Sequence, residues 1–514
     1  MEMSNFKRTI IVLTTVVAAV IELIDTTCVN VALSQISGNL GATIEDVSWV
    51  VVSYAIANVI IIPMTGFLAQ YFGRKNYYLA SIAIFTIASY LCGASGSLGV
   101  LIFWRFIQGI GGGGLLSTSQ SILFDAFPPN KRGVASGLFG LGIVTGPAVG
   151  PIMAGYIVDN YHWPLIFDIN IPFGIIAILL TLKFVDRKPE EYNIDRKNMS
   201  IDYIGILCLI VGIGSLQYVL EKGQEKDWFE DKSIIVLTVT TVIGLISFVW
   251  WELTVKTPFI NLKVLKTRNL IGSNVLSFVG GFGLFCSIFI LPLMLQRTMG
   301  YTPTLTGLAL LPGALAGMVC MPLIGMSLSK GVKPIYYIFV GFVLFILHGY
   351  LSSLGTEDSS LSFFIIPQIL RGVATACLLV PIINQAVVGL APKDIPHGIS
   401  LTNMLRQLGG AFGIAVANTY VTTQYAKHRN SLVTNLQTNN DLLADRLNKS
   451  PGNSIELSLK ILDMAVTKQA YLQSYLDGFL LISLFFICAL PFIFLLKSKK
   501  MDKATISKVA EHSH

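Results

Sequence analysis

The sequence predicts an all-α membrane protein with two six-helix bundles and an inserted helix pair, fourteen transmembrane helices in all. Three observations predict this class. Hydrophobic residues make up 53% of the 514 residues and charged residues only 13%, against about 25% charged in soluble domains. The apolar residues come in runs long enough to cross a bilayer, since about 20 residues at a rise of 1.5 Å suffice. Finally, the first six apolar runs and the last six carry similar residues at matching positions.

The apolar runs define fourteen candidate helices in chain order. They lie at 9–33, 47–71, 77–95, 98–125, 133–159, 163–185, 201–220, 233–253, 269–296, 303–328, 334–353, 360–389, 398–424 and 471–496. Lys7 and Arg8 before the first run resemble the start of a signal peptide, but no convincing cleavage site follows. We therefore interpret the first run as a retained span.

The basic residues outside the runs predict the orientation. Most of them fall in segments on the same side as the N terminus, which places both termini in the cytoplasm. The net charge of +7 follows this topology and does not imply a nucleic-acid partner. The polar segment 425–470 is then a long loop on the outer side, interpreted as a solvated connector, with a short helix or a contact with a partner as the alternatives, and 497–514 is a cytoplasmic tail.

The two sets of six runs resemble an internal repeat. Arg105 in the fourth run returns as Arg371 in the twelfth, and Gly66 in the second returns as Gly325 in the tenth. Two related bundles are the plan of transporters that rock around a central site. The predicted units are an N-terminal bundle at 1–185, a linker with the inserted pair at 186–268 and a C-terminal bundle at 269–496.

Two carboxylates lie inside the first predicted span. An ionised acid at a helix centre costs roughly 2.5 to 3.5 kcal/mol, so such a group usually faces a cavity and has a function. Glu22 and Asp25 fall on one stripe of the helix, together with Thr26 and Val29. Because burial favours the neutral form of a carboxyl group, we predict that this pair carries a proton; a structural tie to a neighbouring helix is the alternative.

Arg105 is the predicted partner of Asp25. Both residues lie roughly 10 to 12 Å below the outer surface, counted at 1.5 Å per residue from the outer ends of their helices. They are therefore level, and movement of Arg105 could switch the proton affinity of Asp25. Binding of Arg105 to backbone carbonyl groups is the competing interpretation.

The fifth run carries a glycine face. Three glycines recur every fourth residue, at Gly142, Gly146 and Gly150. Such a face lets another helix approach closely, while Pro147 and Pro151 favour a kink. Gly313 and Gly317 have the same spacing in the tenth run, which makes that run the predicted contact. Generic tight packing in a membrane bundle is the alternative.

Several longer motifs together resemble one family. In chain order they are LIDTTCVNVAL at 23–33, GFLAQYFGRK at 66–75, RFIQGIGGGG at 105–114, GIVTGPAVGP at 142–151, HWPLIFDINIPFG at 162–174, SLQYVLEKGQEKDWF at 215–229, LQRTMGYTPTLTGLALLPG at 295–313 and NMLRQLGGAFG at 403–413. The chain resembles the fourteen-helix drug:proton antiporters of the major facilitator superfamily, the EmrB/QacA type. The 215–229 stretch favours the EmrB side. The resemblance implies the major facilitator fold, and it identifies the segment from Gly133 to Pro151 as the antiporter motif, with Pro151 where the simplest form has glycine.

The resemblance also implies a cytoplasmic gate in the 66–75 loop. Gly66, Gly73 and Arg74 match the loop signature, but the family usually has aspartate where this chain has Gln70. The charge relay that this aspartate joins is therefore weakened, or it is rewired through Asp125 pairing with Arg74.

Five further polar residues are candidates for the substrate cavity. They are Asn30, Gln108, Asp168, Arg371 and Arg406. Asp168 either favours cationic substrates or lies at the membrane interface, and the second interpretation is the stronger. Arg371 and Arg406 either bind anionic groups or anchor helices, and the sequence leaves both open.

The sequence gives no sign of an enzyme. The six histidines are scattered, all seven cysteines lie in apolar runs without metal-ligand spacing, and the motifs HExxH, GxSxG and GxxxxGK[ST] are absent. We therefore predict no catalytic residues, no metal site and no cofactor, with the proton gradient as the driving force.

The resemblance implies a proton-coupled multidrug efflux antiporter in a bacterial inner membrane, which confers antibiotic resistance by exporting amphipathic compounds. Its partners would be drug-like substrates, protons and membrane lipids. The EmrB side implies a periplasmic adaptor and an outer-membrane channel as well, whereas QacA-type proteins work without them. A proton-coupled or passive facilitator, or an exporter of one metabolite such as a siderophore or a lipid-like molecule, is the alternative.

Overall fold

Fourteen long helices make up most of the computed structural model, which describes residues 4–128, 131–187, 202–255, 258–260, 262–391, 394–434, 436 and 455–496. They are α1 (Asn5–Leu40), α2 (Trp49–Phe72), α3 (Arg74–Gly93), α4 (Leu98–Ala126), α5 (Arg132–Asn160), α6 (Asn170–Phe184), α7 (Tyr203–Lys222), α8 (Lys232–Thr254), α9 (Arg268–Met299), α10 (Pro303–Ser329), α11 (Pro334–Ser353), α12 (Leu361–Ala386), α13 (Ile395–Thr434) and α14 (Ile455–Ala489). The fourteen predicted runs each correspond to one of them.

Thirteen helices in the described ranges are long and apolar enough to cross a membrane by length and composition. The exception is α13, whose predicted span was 398–424. It carries buried polar side chains, among them Asn403 and Arg406, which lower its hydropathy. Nevertheless α13 packs inside the bundle against α2, α9 and α14.

The helices form two six-membered groups. In the first, α1 packs on α4, α5 and α6, while α4 also packs on α2 and α3. In the second, α9 packs on α12 and α13, and α11 packs on α12 and α14. Phe282, Phe342, Phe345 and Phe486 centre the apolar core of the second group, with the last two rings stacked at 4.5 Å. The groups meet along two seams, α5 against α10 and α2 against α13.

The inserted pair α7 and α8 covers one of these seams. Gly212 and Gly244 let the two helices approach closely, because a Cβ on Gly244 would lie 2.8 Å from the Cα of Gly212. The other side of α7 packs between α2 and α13, where Leu209 joins an apolar cluster with Val59 and Leu401. The inserted pair is therefore part of the junction between the two groups.

The end of α7 and the loop after it contact both groups. Lys222 donates hydrogen bonds to Ser48 and to the carbonyl of Glu45, which precede α2. Trp228, in a left-handed backbone conformation with φ of 53°, donates from Nε1 to Oγ1 of Thr419 in α13 at 3.0 Å. The loop thus bridges the seam at one end of the bundle.

Most of the surface of α8 is apolar and unpacked. Its exposed side chains include Val236, Val239, Ile243, Ile246 and Trp250. A helix that exposes this many apolar groups is stable only beside lipid or another apolar surface. The chain is accordingly a multi-pass membrane protein.

The structure changes the prediction for the loop 425–470. Helix α13 continues to Thr434 and α14 begins at Ile455, so both ends of the predicted loop are helical, and Arg429 joins them through a 2.7 Å ion pair with Asp463. These helical ends are polar, so the apolar pattern that marks a span does not reveal them. The predicted tail 497–514 lies outside the described residues, as do residues 188–201 of the predicted linker.

Candidate functional site

Asp25 of α1 lies at the centre of a buried polar cluster. Its Oδ2 accepts a hydrogen bond from Nη1 of Arg105 at 2.6 Å, and its Oδ1 accepts from Gln108 at 3.0 Å and from Asn170 at 2.9 Å. The side chains of Asp25 and Arg105 are 0% and 1% exposed. Two helices, α4 and α6, therefore supply the donors that satisfy this carboxylate of α1 in the bundle interior.

Arg105 is also held by α2. Its Nε donates to the carbonyl of Val50 at 3.1 Å, and its guanidinium lies 4.2 Å from the ring centroid of Tyr54. Both interpretations of Arg105 therefore apply at once, since it binds the carboxylate and a backbone carbonyl. Glycines in α4 permit this approach, because a Cβ on Gly109 would lie 2.6 Å from the carbonyl oxygen of Tyr54.

Glu22 has a different environment one helical turn away. It is 2% exposed, and its Oε1 accepts hydrogen bonds from Asn58 at 2.9 Å and from the hydroxyl of Tyr54 at 3.4 Å. Its Oε2 has no hydrogen-bond partner among the described residues. The hydrogen-bond partners of Glu22 are thus neutral, and its charge interaction is with Arg406 of α13, whereas Asp25 pairs directly with Arg105. Tyr54 contacts both Glu22 and Arg105.

The sequence interpretation missed three residues of this cluster, Tyr54, Asn58 and Asn170. Two of them carried a usable signal, since Asn58 and Asn170 are amides inside apolar runs and an unpaired amide in a membrane is costly. Tyr54 carried none, because tyrosine is common in membrane helices.

The other cavity candidates are dispersed. Gln108 belongs to the Asp25 cluster. Asn30 is exposed and bonds to the carbonyl of Thr26 within its own helix. Asp168 is half-buried near Gly93, outside the cluster. Arg371 and Arg406 are buried in the second group of helices.

The link between α2 and α3 is a single residue, Gly73, whose φ of +83° lies in the region that favours glycine. The next residue, Arg74, forms an ion pair with Asp125 near the end of α4. The geometry brings together the two residues of the predicted rewired relay.

Gln70 contacts the other half of the protein. Its Nε2 lies 3.1 Å from Nε2 of His397 in α13. Gly66 lies beneath the same histidine, because a Cβ there would be 2.6 Å from Nδ1 of His397. The position where the family usually has aspartate is therefore a contact between the two groups of helices.

The predicted partner of the α5 glycine face was wrong. A Cβ on Gly142, Gly146 or Gly150 would meet side chains of α1, among them Val20, Leu23 and Thr27. The contact with α10 uses glycines on the opposite side of α5, where Gly133 faces Gly325. Gly133 and Gly142 are nine residues apart, about two and a half turns, so the glycines that face α10 and those that face α1 point in opposite directions. Gly317 does contact α5, at Val144, whereas Gly313 faces α12. Helix α5 continues without interruption through Pro147 and Pro151.

The Gly133 contact gives a first prediction. A Cβ on Gly133 would overlap the carbonyl oxygen of Gly325, so Gly133→Val should disfavour the state in which α5 and α10 touch at this end. We expect faster maleimide labelling of a cysteine introduced at Ser117, which is buried between the two groups of helices against Asn403. The Gly38→Val variant, which has open space around the new side chain, is the control, and equal labelling rates in both variants would contradict the prediction.

Two groups of six helices, a buried ion pair inside the first group and a bilayer-facing apolar surface are the features of a polytopic membrane transporter. The chain matches the family model described as Major Facilitator Superfamily over residues 15–414, and it belongs to that superfamily. It is 37% identical over 419 residues to the multidrug export protein EmrB of Escherichia coli K12, covering 81% of this chain and 80% of EmrB. It is 34% identical to the fatty acid resistance protein FarB of Neisseria gonorrhoeae, covering 93% of this chain and 94% of FarB. The crystal structure of the human organic anion transporter MFSD10 superposes with a TM-score of 0.61 at 13% identity, over 95% of this chain and 99% of that one, a likeness that concerns the fold alone.

Proposed function

We propose that this protein is a proton-coupled multidrug efflux antiporter of a bacterial inner membrane that exports amphipathic toxic compounds by alternating access. The observation that carries the proposal is the buried pair of Asp25 and Arg105, an ionisable acid held by a cation in the interior of the first bundle. The names of its relatives, multidrug export and fatty acid resistance, support amphipathic substrates.

Asp25 is the proposed proton carrier. Arg105 stabilises its ionised form, and α2 and α4 together fix the position of Arg105. A shift of α1 against these helices would lengthen the ion pair and raise the cost of the ionised carboxylate. The proton affinity of Asp25 would then depend on the position of α1. Glu22, whose hydrogen-bond partners are neutral, assists as a neighbouring acid.

The proposed moving units are the bundles 1–185 and 269–496, with 186–268 as an inserted linker and both termini in the cytoplasm. Contacts between the halves at Gln70 and His397, and between Gly133 and Gly325, close one end of the bundle. Breaking these contacts would open that end, as alternating access requires. The Arg74 and Asp125 ion pair is the proposed latch within the first half.

A periplasmic adaptor and an outer-membrane channel are the further partners proposed from the resemblance to EmrB. They would carry substrate beyond this membrane. Exchange of substrate for protons requires only the chain itself and a proton gradient, so vesicles containing this protein alone are a sufficient assay system.

The test is proton movement in vesicles that contain the purified protein and an internal pH-sensitive dye. A panel of lipophilic cations, uncouplers and antibiotics is added from outside, with protein-free vesicles as the control for passive leakage. We expect substrate-dependent proton movement in the direction opposite to substrate flux. Downhill substrate flux without proton movement would instead indicate a facilitator and overturn the antiport mechanism.

A further inference from the structure

Glu22 is a buried acid of the first half whose carboxylate is only partly used. Its Oε1 accepts hydrogen bonds from Asn58 and Tyr54 of α2, whereas its Oε2 has no hydrogen-bond partner among the described residues. Buried polar groups are normally satisfied. The contacts with α2 therefore leave one oxygen of this carboxylate available to a group from another helix.

Arg406 of α13 is a buried cation of the second half that lacks an anion in direct contact. It is 3% exposed, and its Nη2 donates to Oδ1 of Asn403 at 3.3 Å. Its Nε has no hydrogen-bond partner in the described part of the chain. A guanidinium in a low-dielectric interior needs an anion or several acceptors to offset its desolvation. One neutral amide does not supply this.

The side chain of Asn403 connects Arg406 to the first half. Its Nδ2 donates to Oγ of Ser117 at 3.2 Å and to Oε1 of Gln120 at 3.1 Å, and both of these residues belong to α4. Asn403, Ser117 and Gln120 form an amide bridge between the two halves. All three are buried, so the bridge joins α13 to α4 in the interior of the protein.

The sequence of α4 gives a scale for the depth of Glu22 in the bundle. Gly112 is level with the partners of Glu22, because a Cβ there would lie 2.4 Å from the hydroxyl oxygen of Tyr54 and 3.3 Å from Nδ2 of Asn58. Ser117 lies five residues further along α4, or roughly 7.5 Å at a rise of 1.5 Å per residue. The amide bridge is therefore deeper than Glu22 by about this distance.

Arg406 lies on the side of the amide bridge that faces Glu22. Helix α13 runs antiparallel to α4, because the first turn of α13 and the last turn of α4 both contact the junction of α2 with α3. Arg406 follows Asn403 by three residues, which brings it back by roughly 4.5 Å and leaves a difference in depth of roughly 3 Å from Glu22. An arginine side chain is longer than this, and the charges of Glu22 and Arg406 interact across the boundary between the halves.

We propose that Arg406 couples the proton on Glu22 to the contact between the two halves. When Glu22 is ionised, its attraction for Arg406 holds α13 against the first half and keeps the amide bridge closed. When Glu22 is protonated, Arg406 keeps only Asn403, and the bridge opens more readily. Arg406 is thus a positioning residue that acts through Glu22.

This inference rests on the proposed function and adds the group of the second half that responds to the proton. The amide bridge lies from Glu22 toward the end of the bundle that is proposed to be cytoplasmic. A protonated carrier must open to the cytoplasm to release its proton there, and an ionised carrier must not. Loss of the attraction on protonation gives this order.

The test measures how readily the amide bridge opens. A cysteine is introduced at Ser117, which leaves the contact of Asn403 with Gln120 in place, and its labelling by maleimide is measured by mass spectrometry in the purified full-length protein. Glu22→Gln, which mimics the protonated acid, and Arg406→Gln should each label at least about threefold faster than the parent Ser117→Cys protein. An unchanged rate in a folded Glu22→Gln protein would overturn the proposal.

Combined variants separate the charge of Arg406 from its packing. With Glu22 present, Arg406→Lys keeps the positive charge and should label within about twofold of the parent protein. With Glu22→Gln, the Arg406→Lys and Arg406→Gln proteins should label at the same rate, because no acid remains for the charge to attract. Equal effects of each Arg406 substitution with and without the acid would show a packing role and overturn the proposal.

Arg371→Gln is the matched control. Arg371 is another buried arginine of the second half, on α12, and its effect on labelling should be the same with glutamate or glutamine at position 22. A coupling of Glu22 to Arg371 as large as its coupling to Arg406 would indicate a general response to lost charge and overturn the proposal. If Arg406→Gln does not fold, the labelling rate of Glu22→Gln decides the question.

The labelling assay requires no transport, so this inference and the antiport proposal fail separately. Substrate-driven proton exchange together with unchanged labelling in Glu22→Gln would refute the role of Arg406 alone. Faster labelling in Glu22→Gln, without proton exchange for any compound in the wild-type protein, would refute antiport and leave the charge interaction between the halves in place.

Discussion

Asp25→Asn is expected to abolish substrate-driven proton exchange while the protein still binds substrate. Asparagine keeps one oxygen, which in the place of Oδ2 accepts from Arg105, while its NH2 group takes the place of Oδ1. It cannot gain and lose a proton near neutral pH. Exchange measured with the vesicle dye should therefore fall to the level of protein-free vesicles. Substrate affinity should stay within about tenfold, or about 1.4 kcal/mol.

A matched variant controls for the loss of an acid. Asp159→Asn makes the same chemical change at an exposed position near the end of α5, and it should leave proton exchange intact. Proton release on substrate addition that persists in Asp25→Asn would exclude Asp25 as the carrier. Glu22→Gln then becomes the next variant to measure, because Glu22 is the other buried acid of α1.

Arg105→Met is expected to destabilise the protein strongly. The substitution leaves the carboxylate of Asp25, which is 0% exposed, without its cation, and breaking a buried ion pair by removing one partner costs about 3–5 kcal/mol. Thermal unfolding in detergent should show a large fall in the midpoint.

The double variant isolates the interaction between the two charges. Asp25→Asn combined with Arg105→Met removes both members of the pair, so no buried charge is left unpaired. It should be more stable than Arg105→Met alone, with a coupling energy of roughly 0.5–3 kcal/mol as found for groups in contact. Additive losses in the two single variants would show that Arg105 is stabilised mainly by Val50 and Tyr54.

The helices could be predicted from the sequence because membrane spans are set by length and hydropathy alone. The pairing of Asp25 with Arg105 followed from their equal depth, a distance along each helix that the chain itself specifies. Rotation of a helix about its axis leaves no such signal. The sequence therefore did not indicate that Tyr54 joins the cluster, and for Asn170 it indicated only that a buried amide needs a partner, since their contacts depend on how α2 and α6 are rotated.

The glycine face of α5 was misassigned for the same reason. The spacing of Gly142, Gly146 and Gly150 correctly indicated a close helix approach, but α5 has a second glycine set on the opposite side. Spacing identifies a face and does not name its partner. The polar ends of α13 and α14 were missed because helix beyond the bilayer carries no apolar pattern.

Because of the inserted pair, the two seams between the halves of the transporter differ on their lipid-facing sides. One seam between the halves is closed at one end by backbone contact of Gly133 with Gly325, whereas the other is covered by α7, whose loop contacts Ser48 on one side and Thr419 on the other. A compound dissolved in the bilayer therefore meets two different barriers. On the α2–α13 side, α7 and a tethered loop lie between the bilayer and the seam.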